Sequence, residues 1–176
     1  SPAGISCGAD CAEDYDPGTA VTLTPSAGTA STFTSWSGAC TGSGACVVTM
    51  DAAKSVTATF TLNRYALTVS KAGTGSGSVS SSPAGISCGA DCSEDYDHGA
   101  IVTLTPSAGT GSTFTSWSGA CAGSGACVVT MDAAKSVTAT FTLNRYALTV
   151  STAGTGSGSV SSSPAGISCG ADCSED

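Results

Sequence analysis

An almost perfect internal repeat of 81 residues constrains the fold of this chain more than any other feature of its sequence. The string SPAGISC begins at Ser1, at Ser82 and again at Ser163. Residues 1–81 and 82–162 differ at only seven positions, and residues 163–176 match residues 82–95 without change. Self-similarity at a fixed period indicates a stack of equivalent modules rather than one large domain.

The strand pattern places the natural repeat unit at residues 65–145. Residues 1–64 then form the C-terminal part of one repeat, and residues 146–176 form the N-terminal part of the next. Since the sequence starts and stops inside the same motif, we expect it to be a segment of a longer array.

Composition excludes several classes of protein. Only 10% of residues are charged, and five Lys and Arg face 13 Asp and Glu, for a net charge of −8. Such an acidic chain lacks the basic surface that nucleic-acid binding requires. No apolar run approaches the roughly 18 residues of a membrane helix, so no membrane span is expected.

Short strands account for nearly all of the unit. Residues 65–70, 78–80, 100–105, 112–117, 127–131 and 135–144 show the alternation and β-branched content of strands. In the last of these, Val137, Ala139, Phe141 and Leu143 should share the buried face. Only residues 131–135 would make a single helical turn. We therefore predict an all-β fold of small tandem modules.

No linker separates successive units. Residues 55–70 run across the boundary without Gly or Pro. The buried set changes parity there, from even positions before Asn63 to odd positions from Tyr65 onward, and neighbouring strand residues face opposite sides. We expect modules on alternating sides of a stiff axis, which together form an elongated rod.

The ten cysteines fall into Cys-x3-Cys and Cys-x5-Cys pairs. Structural zinc sites use tighter knuckles with four ligands, so this spacing fits zinc poorly. Disulfides that close short loops fit better and place the protein in an oxidising compartment, although four cysteines per unit allow three pairings. The predicted local disulfides, which would staple a thin core, are Cys7–Cys11, Cys40–Cys46, Cys88–Cys92, Cys121–Cys127 and Cys169–Cys173.

An acidic cluster follows each Cys-x3-Cys pair. In the complete repeat it consists of Asp91, Glu94, Asp95 and Asp97. We interpret it as a solvated loop with no cofactor. Oxygen-rich clusters also suit weak extracellular calcium binding, but this spacing matches no established calcium loop. Calcium at these four residues is therefore the alternative hypothesis.

Catalysis has little support in the sequence. No Ser or Cys has a repeated histidine to activate it, because His98 is the sole histidine and Pro17 occupies its place in the first copy. Trp36 and Trp117 would serve carbohydrate binding if exposed, but an aromatic in a strand of a small domain is more often core. A third reading, ice binding by rows of threonines such as Thr57, Thr59 and Thr61, would need flat strands. We expect the protein not to be an enzyme.

These motifs, taken in order, resemble a known family. The segment Tyr65-Ala-Leu-Thr-Val, the glycine hairpin, the two cysteine pairs, Phe114-Thr-Ser-Trp117 and Met131-Asp-Ala-Ala-Lys135 are similar to divergent internalin-type B-repeats over essentially the whole chain. Such modules occur in tandem in bacterial secreted and surface proteins. The resemblance implies a β-grasp-like module that serves as a stalk or adhesive spacer, and it brings no catalytic residues.

The leading hypothesis is therefore an extracellular or cell-surface repeat that forms the stiff shaft of a filament or adhesin. Its expected partners are neighbouring copies of itself, since exposed strand edges invite strand addition. The alternative is an adhesive module that binds calcium or a surface glycan.

Overall fold

Strands joined by turns and irregular segments make up the described chain. The structure is a computed structural model that describes residues 4–8, 10–169 and 173–175. Residues 174 and 175 are described by their backbone alone. No helix occurs among these residues, so the predicted all-β class is confirmed. β-Branched residues such as Thr and Val fit a pleated sheet better than a helix, which favours this outcome.

The strands follow the three copies of the sequence. The first copy contains β1 (Ala20–Leu23), β2 (Ser31–Gly38), β3 (Cys46–Thr49) and β4 (Val56–Leu62). The complete repeat contains β5 (Arg64–Ala72), β6 (Gly77–Ser82), β7 (Ser87–Cys88), β8 (Ser93–Asp97), β9 (Ile101–Ala108), β10 (Ser112–Gly119), β11 (Cys127–Thr130) and β12 (Lys135–Leu143). The third copy has four two-residue strands, β13 (Leu148–Thr149), β14 (Val160–Ser161), β15 (Ser168–Cys169) and β16 (Ser174–Glu175).

Eight strands of the complete repeat form two four-stranded sheets. Their orders are β10-β12-β5-β8 and β11-β9-β6-β7. Among the described residues, the first copy forms the pairs β1–β3 and β2–β4, and the third copy forms β13–β16 and β14–β15.

The copies share their strand register to the residue. Phe33 pairs with Phe60 in β2–β4, and Phe114 pairs with Phe141 in β10–β12, each followed by a one-residue bulge. Both pairs end at a glycine, Gly38 or Gly119, with φ near +92°. A Cβ there would clash with the carbonyl oxygen of Ser55 or Ser136, respectively. The bulge and the glycine fix register where alternation alone would allow slippage.

The predicted buried face of β12 is confirmed at three of its four positions. Val137, Ala139 and Phe141 are at most 1% exposed, whereas Leu143 is 53% exposed. The prediction was wrong at Leu143 because alternation identifies which face of a strand is buried, but not at which residue the elements packed on that face end.

The glycine hairpin of residues 73–77 packs on β12 at Phe141 and buries it. The Gly75 amide donates to the Phe141 carbonyl (2.9 Å), and a Cβ on Gly77 would enter the Phe141 ring. Close approach of one backbone to another side chain explains why glycine stands there. Thr74 Oγ1 accepts a hydrogen bond from the Leu143 amide (3.3 Å).

Two further expectations need correction. Residues 131–135 form a bend rather than a helical turn, in which Lys135 Nζ lies 2.6 Å from Asp132 Oδ1. The hydrogen bond and charge of Lys135 lower the pKa of the Asp132 carboxyl. The acidic segment after Cys92, interpreted as a loop, is strand β8.

All ten cysteines are joined in pairs four or six residues apart, and none is free. The Cα atoms of Cys88 and Cys92 lie 4.3 Å apart, and those of Cys121 and Cys127 lie 5.5 Å apart. On the chain-entropy model, loops this short each contribute about 2 kcal/mol to the free energy of unfolding. Such staples add to the stability of a module whose thin core is marginal by itself.

By its internal contacts the chain divides into two compact units. One consists of Ser1–Leu67, Glu94–Ile101 and Thr130–Lys135, and the other of Thr68–Ser93, Val102–Val129 and Ser136–Asp176. Around Trp36, Cys46 and Val48 the first unit has a small core. The first unit therefore combines residues from two successive copies of the sequence.

The two copies provide a matched test of burial. Phe141→Ala should lower the free energy of unfolding by about 3–5 kcal/mol, the usual cost of removing a buried phenylalanine. Phe60→Ala, at the same position of the first copy, should cost about 1–2 kcal/mol, because Phe60 is already 42% exposed. Urea denaturation of both variants measures the difference, and equal losses would contradict it.

Mass spectrometry of unreduced peptides tests the disulfide pairing. We expect the cysteine pairs to remain within single short peptides, because local bridges connect residues at most six apart. A peptide that cross-links Cys88 to Cys127 would show that the pairing is not local.

Candidate functional site

Strand β8 places the acidic residues on two faces rather than in one pocket. Glu94 and Tyr96 point inward, with Tyr96 only 6% exposed, while Asp95 and Asp97 are exposed. This alternation was present in the sequence as Glu94-Asp95-Tyr96-Asp97. A repeated tyrosine between acids was the signal of a half-buried strand.

The guanidinium of Arg64 lies beside this strand. Arg64 Nη2 is 3.5 Å from Glu94 Oε1, and Arg64 Nε is 3.4 Å from Asp97 Oδ1. Arg64 Nη2 also donates a hydrogen bond to the carbonyl oxygen of Asp95. A single cation at the start of β5 thus contacts three residues of the acidic strand, the carboxylates of Glu94 and Asp97 and the backbone carbonyl of Asp95.

These ion pairs are individually weak. The side chains of Arg64, Glu94 and Asp97 are 55%, 36% and 64% exposed. Exposed pairs contribute about 0–1 kcal/mol each, and more only when several act as a network with fixed geometry. Arg64 fulfils that condition because its three contacts share one planar guanidinium.

Asn63, directly before Arg64, is held from both sides. Its amide donates to the Ala30 carbonyl (2.8 Å), and its side-chain oxygen accepts from Thr32 Oγ1 (2.6 Å). Its own carbonyl accepts the His98 amide (2.8 Å). The aromatic rings of Tyr65 and His98 meet edge to face at 5.9 Å.

We call this set of six residues the junction cluster, because it surrounds the step from β4 to β5. Its members are Asn63, Arg64, Tyr65, Glu94, Asp97 and His98. All six belong to the same compact unit. Sequence reasoning identified the acids but not Asn63 or Arg64. The available signal was the Asn-Arg pair, which recurs as Asn144-Arg145 in a chain with only five Lys and Arg.

The geometry gives the calcium hypothesis little support. Calcium takes six to eight oxygen ligands. Among the described residues no three His, Cys, Asp or Glu side chains are arranged to hold a metal ion. Asp91 lies in the cysteine loop, where its Oδ1 accepts the Ser93 amide (3.3 Å). Glu94 and Asp97 instead flank the positive charge of Arg64.

The Cys88–Cys92 loop anchors the start of the acidic strand. Cys88 is fully buried, and its sulfur lies 3.7 Å from the Val69 carbonyl oxygen. The Val69 amide donates to the Cys92 carbonyl (2.8 Å), and the backbones of Ser87 and Asp91 form an isolated antiparallel β-bridge. The loop thus ties β7 and the first residue of β8 to β5.

Neither tryptophan is available to stack on a sugar. Trp117 is 2% exposed and Trp36 is 6% exposed. Each donates its indole hydrogen into the neighbouring cysteine loop, Trp36 to Gly44 (3.0 Å) and Trp117 to Gly125 (3.1 Å). The prediction that these aromatics belong to the core is confirmed.

Threonines on the outer face of the strands bond to one another. Thr115 Oγ1 and Thr142 Oγ1 are 2.8 Å apart, and Thr34 Oγ1 and Thr61 Oγ1 are 3.1 Å apart. Cross-strand hydroxyl pairs of this kind stabilise sheets by a few tenths of a kcal/mol to about 1 kcal/mol each. These rows therefore have a structural explanation.

In the part of the chain that the structure describes, no helix has the length and apolar character needed to span a membrane.

Comparison with known proteins identifies one family. No curated protein and no solved structure matches the chain significantly. The family model described as the divergent InlB B-repeat domain matches residues 3–64 and again residues 65–145, which together make up most of the chain. The second match begins at Tyr65, directly after the Asn63-Arg64 step around which the junction cluster is built. The chain therefore belongs to the divergent InlB B-repeat family, of which it carries two tandem matches.

Proposed function

We propose that this chain is a stiff stretch of an extracellular shaft, part of a filament or a surface adhesin built from tandem B-repeats. Its role is to hold successive repeats in a fixed arrangement, and its partners are neighbouring copies of the same repeat. A member of this family with paired cysteines fits a secreted or surface protein, because disulfides persist in oxidising compartments.

One observation carries the proposal. Strand β4 ends at Leu62 and strand β5 begins at Arg64, so a single residue separates the last strand of one family match from the first strand of the next. Domains that move independently are usually joined by exposed linkers rich in Gly, Pro or polar residues. Here the connection has almost no free backbone.

The junction cluster restrains that single residue further. Asn63 is fixed by hydrogen bonds through its amide, its carbonyl and its side chain. Fixing the backbone of one residue costs about 1–2 kcal/mol of conformational entropy, which the three hydrogen bonds offset at about 1 kcal/mol each. The ion pairs of Arg64 hold the next residue against β8.

The composition suits a structural role. Only 10% of the residues are charged, but their net charge of −8 keeps this β-rich chain soluble and repels nucleic acid. We also propose that the chain is not an enzyme. A nucleophilic hydroxyl needs an adjacent base, and His98, the sole histidine, packs its ring against Tyr65.

The adhesive alternative has less support. The carbohydrate hypothesis depends on the two tryptophans, and both are buried. A calcium site would need to displace Arg64 from Glu94 and Asp97.

Small-angle X-ray scattering at dilution tests the stiff connection. The unmodified chain should fit one conformation, because a single restrained residue joins β4 to β5. Insertion of Gly-Ser-Gly-Ser between Asn63 and Arg64 should require a broad ensemble of conformations, since such linkers behave as flexible coils.

The matched control inserts the same four residues between Ser26 and Ala27, which are exposed and lie outside the strands. This variant should scatter like the unmodified chain. If the unmodified chain already needs an ensemble as broad as the junction insertion, the stiff-shaft proposal is wrong.

Thermal melting with and without calcium distinguishes the two functions. Neither EDTA nor millimolar calcium should shift the melting temperature, because Glu94 and Asp97 are already paired with Arg64. A ligand present at 100 times its dissociation constant would stabilise the fold by about 2.7 kcal/mol. A calcium-dependent rise of several degrees, abolished by Asp97→Asn and Glu94→Gln together, would favour the adhesive module.

A further inference from the structure

One peptide bond distinguishes the two copies of the repeat chemically. The sequence contains a single Asp-Pro pair, Asp16-Pro17, and the matching pair in the second copy is Asp97-His98. In both copies the aspartate ends the same string, Glu-Asp-Tyr-Asp, and a glycine follows one residue after the pair. The residue that follows the aspartate is therefore the difference to be explained.

The backbone makes the same turn at both positions. The Asp16 carbonyl accepts a hydrogen bond from the Thr19 amide (3.1 Å), and the Asp97 carbonyl accepts one from the Ala100 amide (3.0 Å). The glycine within each turn has a positive φ, +86° in the first copy and +81° in the second. The two bonds thus have matching surroundings, and the nitrogen of the following residue sets their chemical difference.

The aspartate side chain at this position is accessible to solvent. In the complete repeat the Asp97 side chain is 64% exposed even beside Arg64, and Asp16 is exposed as well. A carboxyl oxygen of an aspartate reaches the carbonyl carbon of its own residue by closing a five-membered ring. Such intramolecular attack is strongly favoured over attack by a separate molecule, because the reacting groups are already together.

Proline provides the better leaving nitrogen. Its peptide bond is a tertiary amide without a hydrogen, and the amine that it releases is a secondary amine. A secondary amine is more basic than the primary amine that other residues release, so the proline nitrogen accepts a proton more readily during cleavage. The nitrogen of His98 is an ordinary amide, and its hydrogen is donated to the Asn63 carbonyl (2.8 Å).

We propose that the Asp16–Pro17 peptide bond is a self-cleavage site that acid opens, with water as the co-reactant. A carboxyl oxygen of Asp16 attacks the carbonyl carbon of the same residue and forms a cyclic anhydride. The carboxyl proton passes to the Pro17 nitrogen, and the carbon–nitrogen bond breaks. Water then opens the anhydride, which leaves two carboxyl groups on Asp16 and a free secondary amine on Pro17.

No disulfide would hold the two products together. All ten cysteines pair with a partner four or six residues away. The bridges on either side of the bond are Cys7–Cys11 and Cys40–Cys46, and neither crosses it. Cleavage at this position would therefore end the covalent continuity of the chain.

The bond falls between the two halves of a repeat. In the complete repeat, β5 to β8 precede this position and β9 to β12 follow it. Each four-stranded sheet combines two strands from each half, in the orders β10-β12-β5-β8 and β11-β9-β6-β7. A cleaved repeat would thus be held together by the strand pairs β12–β5 and β9–β6 alone. The inference goes beyond the shaft function, since it gives the shaft a position at which it is severed.

Mass spectrometry without reduction tests the proposal after incubation of the unmodified chain at about pH 3, where most free aspartate side chains are protonated. Two products should accumulate, residues 1–16 and residues 17–176. The same chain should stay intact at neutral pH. Two bonds are internal controls that should remain uncut, Thr24–Pro25, which has proline without aspartate, and Asp51–Ala52, which has aspartate without proline.

Exchange of the two residues between copies is the matched experiment. Pro17→His should slow cleavage after Asp16 by at least about 10-fold, and His98→Pro should create a second cut after Asp97, because each change moves the leaving nitrogen with it. Asp16→Ala removes the attacking carboxyl and should abolish the first cut. The same pattern should hold in urea, because the reaction requires only the two adjacent residues, so a variant that unfolds still gives a result.

A chain that remains intact in acid overturns the proposal, as does cleavage of Asp51–Ala52 at the rate of Asp16–Pro17. Equal rates for Pro17→His and the unmodified chain would overturn it too. Each of these results would leave the stiff-shaft function standing, because that function depends on the connection at Asn63 and its scattering test needs no acid.

Discussion

Strand β5 takes part in two structures at once, and the fold depends on this. It follows β4 after a single residue, and it also lies between β12 and β8 in a sheet of its own repeat. A module of this size has a thin core and is only marginally stable without further restraints. Strand β5 therefore completes a sheet of its own repeat and also connects that repeat to the preceding one.

The repeat compensates for a thin core by close backbone contact. Glycines at positions 73, 75 and 77 let the hairpin lie directly on Phe141 and Thr142, where any Cβ would clash. Short disulfide loops bring the Trp117 indole and the buried Cys88 into place. Stability thus comes from many precise local contacts rather than from a large apolar interior, which explains how 81 residues with few aromatics fold.

Local patterns predicted most of the strands but not their partners. The alternation of Val137, Ala139 and Phe141 identified β12 and its inner face, and cysteine spacing predicted short loops. The sequence predicts a loop at Glu94-Asp95-Tyr96-Asp97 because three of these four residues are acidic, but the tyrosine is buried and the segment is a strand. The contacts of Arg64 lie about 30 residues away along the chain. Such long-range pairing depends on topology, which residue spacing does not encode.

The hydrogen bond from the His98 amide to the Asn63 carbonyl distinguishes the two copies of the sequence. In the first copy the position of His98 is occupied by Pro17. Proline has no amide hydrogen and cannot donate this bond. A repeat with proline at this position therefore lacks the backbone hydrogen bond that a repeat with histidine makes. The two kinds of repeat thus differ at this position by one backbone hydrogen bond, through a change of a single residue.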